Sequence, residues 1–226
     1  MAGLTDKAGG VTDDMQNKIE QAQQAWKESM LRQVETLRDS IREESPPTIA
    51  QRTGAEFNPD GVQFLYWNRL VNISWPGLQA TMLPEEESVS TFDAAMLMYY
   101  LHTADGAPLA DSWIGFRELP NGAFYAQAFQ GYSGNRVARC YGDDPDRFHA
   151  AARVLDGWRL SALAEHAYAF RPLPRIRLAA VLWPGDDEFP TKASILFDAA
   201  SHHYMTTDGL ALLGAGLARR LEKARS

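Results

Sequence analysis

The 226-residue sequence has one cysteine, no apolar run long enough to cross a bilayer, and a deficit of positive charge. Cys140 alone excludes an intrachain disulfide and any all-thiolate zinc or iron–sulfur site. Such sparing use of cysteine suits a reducing compartment. The longest apolar stretches, such as Leu178 to Trp183, fall far short of the roughly 20 residues of a membrane helix. Lys7 is followed by no apolar core of a targeting signal, so no membrane span is expected and the expected location is cytoplasmic. Lys plus Arg number 22 against 29 Asp plus Glu, a formal net charge of −7. Nucleic acids and anionic membranes are polyanions, so no nucleic-acid partner is expected.

Standard chemical motifs are missing too. The chain carries no GxxxxGK[ST], GxGxxG, HExxH or GxSxG, and no two histidines stand four apart on a helix. No metal site is expected. Gly214-Ala215-Gly216 lies inside a helical pattern, where glycines serve close packing rather than a phosphate cradle. Cys140 follows Arg136 and Arg139. Two readings stand: a thiol activated by those cations, or a half-buried small hydrophobe.

Hydrophobic residues at 45% and charged residues at 23% describe an ordinary globular chain. Residues 1–10, with three glycines, form a flexible start. From Val11 to Glu44 proline and glycine are absent. Apolar residues there fall at Val11, Met15, Ile19, Ala22, Trp26, Met30, Val34, Leu37 and Ile41, one helical stripe. Residues 11–44 are therefore expected to be a long amphipathic helix, its stripe buried on the domain or on another chain. Self-association or a protein partner through 11–44 follows from the second choice. Ser45-Pro46-Pro47 stops that helix, and 45–60 is expected to be a linker.

An α+β domain is expected over 61–226. Strands are predicted over Val62–Trp67, Leu70–Trp75, Leu78–Leu83, Asp111–Arg117, Tyr168–Arg171, Ile176–Trp183 and Ala193–Asp198, where aromatic and β-branched residues gather. Helices are predicted over Ser88–His102, 132–140, 145–156 and from Thr207 to Ala224. The mixed order of elements, with hairpin-like turns, predicts a largely antiparallel sheet packed with helices and preceded by the long N-terminal helix.

Two constellations stand out as candidate sites. Asp198 ends a strand shortly before His202-His203-Tyr204. An Asp–His pair serves acid–base chemistry or ligand contact, or it is purely structural, with Asp198 capping the next turn. Side chains alternate along an extended chain, so only one of the two histidines faces Asp198, and His203 beside Tyr204 is the choice. Trp113, Arg117 and Tyr125 supply aromatic wall and a guanidinium suited to a carboxylate, and so to a small acidic ligand. As an aromatic core they need no ligand.

Asp111-Ser112-Trp113-Ile114-Gly115-Phe116-Arg117-Glu118-Leu119-Pro120-Asn121-Gly122-Ala123-Phe124-Tyr125 resembles the W-x-x-F-R-E-L-x-x-G-x-x-Y stretch of the domain of unknown function 3786 family. Leu182 to Pro190 and Ile195 to Asp198, leading to His203, Tyr204 and Thr207, resemble it as well, so the likeness covers about residues 64–221. The resemblance implies membership of a bacterial and archaeal family that is frequent in anaerobes. Some members carry a cysteine-rich iron–sulfur module of the kind seen in corrinoid one-carbon enzymes; this chain has one cysteine and a helical segment in that place, so cluster binding is not carried over. The expectation is an accessory or ligand-binding protein, with tetrapyrrole or corrinoid metabolism as the implied setting and the cofactor itself unidentified. Two alternatives stand beside it: an enzyme using Asp198 and His203, and a structural subunit docking a larger complex through its N-terminal helix.

Overall fold

A computed structural model describes residues 21, 24, 25, 28, 29, 32–142 and 144–225. Of the helix expected over 11–44, residues 32–42 are helical and are called α1. Trp26 and Met30 lie outside the described residues. Val34, Leu37 and Ile41, the end of the predicted stripe, are buried in the protein's own hydrophobic core. For these three positions the stripe covers the domain.

Residues 45–60, expected as a linker, hold two elements: α2 (Pro46–Thr53) and β1 (Glu56–Asn58). Ser45 lies three residues beyond α1 and caps α2, its hydroxyl accepting from the Thr48 amide. Proline at the first helical position lacks only an amide hydrogen that would have had no partner, and its fixed φ suits a helix start. The Pro-Pro pair thus both stops one helix and opens the next. Ile49 of α2 is fully buried.

Among the described residues, ten strands form two antiparallel sheets rather than one. The first is a meander of β1, β2 (Gly61–Tyr66), β3 (Arg69–Ser74), β4 (Ala80–Met82) and β5 (Glu87–Ser88), in chain order. Then come α3 (Thr91–Thr103) and an irregular stretch, residues 104–112, before β6 (Trp113–Gly115). Helices α4 (Ala126–Tyr132), α5 (Gly134–Tyr141) and α6 (Pro145–Val154) follow. The second sheet is completed by β7 (Trp158–Arg159), β8 (His166–Leu173), β9 (Ile176–Trp183) and β10 (Lys192–Asp198), in the order β6-β10-β9-β8-β7. Helix α7 (Thr207–Lys223) ends the described chain.

Burial explains the second sheet's centre. Leu178 to Leu182 of β9 are all buried, so both faces are covered, which is why this strand reads as a continuous apolar run without alternation. Helix α5 packs on β9 and β10, α6 on β8, and α7 on α4, α5, α6 and β10. Helix α7 is apolar almost all round from Gly209 to Ala218 and lies inside the structure. Asp144 caps α6 as expected, accepting from the Arg147 amide, with Pro145 at the first position. Tyr100 of α3 ties three elements: its hydroxyl donates to the Thr53 carbonyl at 2.6 Å and accepts from the Arg175 amide at 3.1 Å. The two sheets meet where the Trp67 amide donates to the Pro172 carbonyl. No helix among the described residues is long and apolar enough to cross a membrane.

Candidate functional site

Asp198 and His203 do not pair. The Asp198 carboxylate is buried and accepts three backbone N–H bonds, from Ala110 (3.0 Å), Asp111 (3.0 Å) and Ala200 (2.9 Å). His203 Nδ1 instead meets Asp105 Oδ2 at 2.6 Å, in a pair that is largely solvent-facing. That bond to His203 holds the Asp105 carboxyl below its usual value, helped by the Ala107 amide. Tyr204 is fully buried and its hydroxyl donates to the Ala107 carbonyl. Arg177 pairs with Asp111. Apart from the bond from the Ala200 amide, these contacts converge on residues 104–112. An irregular segment has no ladder to satisfy its backbone groups, and these side chains supply the partners. The Asp198 cluster therefore straps the connection between the two sheets.

Trp113, Arg117 and Tyr125 divide. Trp113 lies opposite Asp198 across β6 and β10, while Gly115 lies opposite Leu196. The chain thus runs away from the His203 end of β10 as it approaches Arg117. Arg117 is exposed and lines a shallow cleft with Gln130, Ser194 and Leu196, which contains neither His203 nor Asp198. Tyr125 is 43% exposed at the start of α4. Among the described residues, none of the four clefts lined by Arg220, Asp93, Phe64 or Arg117 includes His203.

Cys140 is not an activated thiol. Burial pushes its pKa up and Glu222, whose carboxylate lies 3.7 Å from Sγ, adds to the rise; Arg225 and Arg136 act weakly the other way.

A different cleft has the attributes of a binding site. It has a cavity volume of about 130 Å³ and lies where the β2–β3 turn, the end of α6 and the last turns of α7 meet. Trp67, Leu155, Phe170 and Leu217 give it apolar walls; Asn68, Asp156 and Arg220 give it polar ones. The Arg220 guanidinium lies 3.9 Å from the centre of the Trp67 ring, in cation–π contact. Burial holds Arg220 below its usual pKa, with Tyr66 and Asp93 pulling the other way. Among the described residues Arg220 forms no ion pair; its Nη1 reaches only the Gly216 carbonyl, at 3.4 Å.

The backbone of this cleft is unusual. Trp67 (φ 50°), Asn68 (φ 62°) and Asp156 (φ 56°) are all left-handed. Asparagine and aspartate tolerate that region, but for a residue as bulky as tryptophan it is an outlier. Trp67 and Asn68 form the two-residue connection between Tyr66 and Arg69, where hairpin geometry demands φ > 0 at both positions. Asn-Gly would satisfy that turn without strain. The sequence accepts the strain and sets an indole against Arg220. Residues held this way concentrate at ligand sites. Opposite them, the Asn68 amide donates to Asp156 Oδ2 at 3.2 Å and joins the two strained turns.

A second cluster also escaped the sequence reading. His149 of α6 is bonded on both ring nitrogens: Nδ1 to Tyr168 Oη at 3.0 Å and Nε2 to His166 Nδ1 at 2.9 Å. His166 and Tyr168 stand two apart on β8 and so share a face. The alternation was visible in the sequence; the arrival of α6 over that face was not.

The chain matches the family model described as Domain of unknown function (DUF3786) over residues 45–220, and it belongs to that family. No curated protein and no solved structure matches it.

Proposed function

We propose that this member of the family is a ligand-binding protein that takes a small acidic molecule in the cleft between α6, α7 and the β2–β3 turn. One observation carries the reading: a half-buried guanidinium, stacked on Trp67, lines a cleft without an ion-pair partner among the described residues. A cation withdrawn from water in this way favours an anionic acceptor, and its planar fork fits a carboxylate. The indole beneath Arg220 keeps the fork in place, so little side-chain freedom is lost on binding. Leu155, Phe170 and Leu217 suit an apolar body on the same ligand.

The enzyme alternative draws no support from the geometry, because the Asp198 oxygens are occupied by three backbone donors. The docking alternative loses Val34, Leu37 and Ile41 to the protein's own core, and the rest of its stripe lies outside the described residues. A setting in tetrapyrrole or corrinoid metabolism rests on the family resemblance alone and adds no residue to this cleft.

Benzoate is a suitable probe, since it joins a carboxylate to a flat apolar body. Titration of the full chain with benzoate, followed by calorimetry and by tryptophan fluorescence, is expected to give saturable binding. Arg220→Gln should weaken it at least tenfold while circular dichroism stays unchanged. Absence of saturable binding by the wild type, or equal binding by a folded Arg220→Gln variant, would sink the reading.

A further inference from the structure

We propose that Tyr168, His149 and His166 form an acid-sensitive latch, which fastens α6 to β8 while at most one of the two imidazoles is charged and releases it when both are. The geometry is that of a proton-sharing chain. His149 Nε2 and His166 Nδ1 lie 2.9 Å apart, and the ring centres lie 5.1 Å apart. The two nitrogens therefore face each other nearly along the line of centres, as an N–H···N bond requires. Two metal ligands would instead converge on a third point. Among the described residues no group of three His, Cys, Asp or Glu is placed to hold a metal.

Proton counting sets the behaviour. With both rings neutral, Tyr168 donates to His149 Nδ1, and His149 Nε2–H donates to His166 Nδ1. One added proton enters at His149 Nδ1. Tyr168 then becomes the acceptor, and one N–H···N bond still joins the two rings. A second proton can enter only at His166 Nδ1, the acceptor of that bond. Two N–H groups then face each other, and two positive charges stand side by side. The contact therefore has room for one added proton and not for two.

The surroundings act in the same sense. Burial holds His149 below the ordinary histidine value; His166 of β8, Arg159 of β7 and Arg153 of α6 itself lower it further, and Asp146 of α6 opposes them. From α5 the neighbour is Tyr141, packed on Phe148, with a hydroxyl pushed up to about 12 that stays neutral throughout. Below the ordinary histidine pKa of about 6.5, the docked α6 resists protons that the released α6 would accept.

Because α6 ends at Val154, beside Leu155 and Asp156, its release also opens the Trp67–Arg220 cleft. That consequence rests on the ligand-binding reading; the latch itself does not, and its test uses no ligand.

The test is amide hydrogen exchange of the full chain at pH 7.5 and pH 5.0, corrected for the intrinsic pH dependence of exchange, with α7 as internal reference. Protection over α6 should fall at least tenfold more than protection over α7. In His149→Gln, which can still accept from Tyr168 and donate to His166 but does not titrate, the ratio should stay within twofold between the two pH values. His166→Gln serves the same purpose and guards against misfolding of the first variant. Equal loss over α6 and α7 in the wild type would overturn the latch. So would an α6-specific loss that persists in both glutamine variants.

Discussion

The Arg220 guanidinium sits 3.9 Å from the centre of the Trp67 ring because residue 216, one helical turn earlier, is glycine. A Cβ there would lie 3.3 Å from Arg220 Nη1 and 3.6 Å from the indole. Gly214, on the same helix, guards a different contact: a Cβ there would stand 2.7 Å from the Phe129 ring. Phe129 is buried and stacked on Phe116, so it has nowhere to move.

The two glycines therefore answer the same substitution with opposite signs. Alanine gains about 1 kcal/mol over glycine in a helix interior. At Gly216 the obstacle is the end of a flexible side chain, so Gly216→Ala should stabilise by about 0.5–1 kcal/mol while weakening benzoate binding. At Gly214 overpacking against a fixed ring costs about 1–3 kcal/mol, and Gly214→Ala should be the less stable variant. Urea unfolding of both against wild type checks the ordering, and a more stable Gly214→Ala would refute it.

Asp198 and His203 should differ sharply in what they contribute to stability. Asp198→Asn leaves at least one backbone N–H facing an amide that cannot accept it, deep in the structure. The expected cost is about 2–4 kcal/mol. His203→Ala removes an exposed side-chain hydrogen bond to Asp105 and should cost under about 1 kcal/mol. Denaturant midpoints of the two variants decide the matter; similar costs would mean that the strap over residues 104–112 is misread.

Ile41 is fully enclosed although it lies outside the matched family region. Ile41→Ala should destabilise the protein by about 2–5 kcal/mol. A cost below 0.5 kcal/mol, on the order of a surface substitution, would show that α1 is not part of the core. For the same reason, a chain cut to residues 61–226 should fold poorly, because it lacks Ile41, Ile49 and β1.

Cys140 should be sluggish toward thiol reagents at neutral pH, since the thiolate is the reactive form and both burial and Glu222 disfavour it. Glu222→Gln removes the negative charge and leaves Arg136 without its partner at 3.5 Å. The thiol pKa should fall, and reaction with a disulfide reagent should accelerate several-fold. An unchanged or slower rate would contradict the assigned cause.

The pH dependence of stability follows from His149. Its folded pKa lies below its unfolded one, so the unfolded chain binds more protons in the window that opens near 6.5 and extends downward. Stability contributed by neutral His149 is present above that window and lost as the pH falls through it. Urea midpoints between pH 7.5 and 5.5 should decline for the wild type and decline less for His149→Gln. An increase on acidification would reverse the assigned sign.

Much of the secondary structure was legible because its signals are local. The stripe of α7 and the Asp144-Pro145 start of α6 fall where periodicity and capping place them. Strands β2, β3, β9 and β10 match the β-branched and aromatic runs. Helix α2 was missed because Pro-Pro reads equally as an end and as a beginning. The division into two sheets was missed because a strand's own residues do not say which strand lies beside it. The Asp198–His203 pairing failed for a local reason: the chain turns in a short 3-10 helix at Ser201–His203, so extended-strand alternation does not hold there.

The sequence by itself determined a cysteine-poor, acidic α+β chain, the positions of most elements, and the family to which it belongs. Composition and short-range pattern suffice for these, because each depends on residues within one or two turns or along one strand. Only the tertiary structure decided that Trp67 meets Arg220, that His149 meets His166, and that Asp198 holds the connection between the sheets instead of a histidine. Each of these contacts joins side chains from different elements. Which faces come together is set by how helices pack on the two sheets, and no local spacing carries that information.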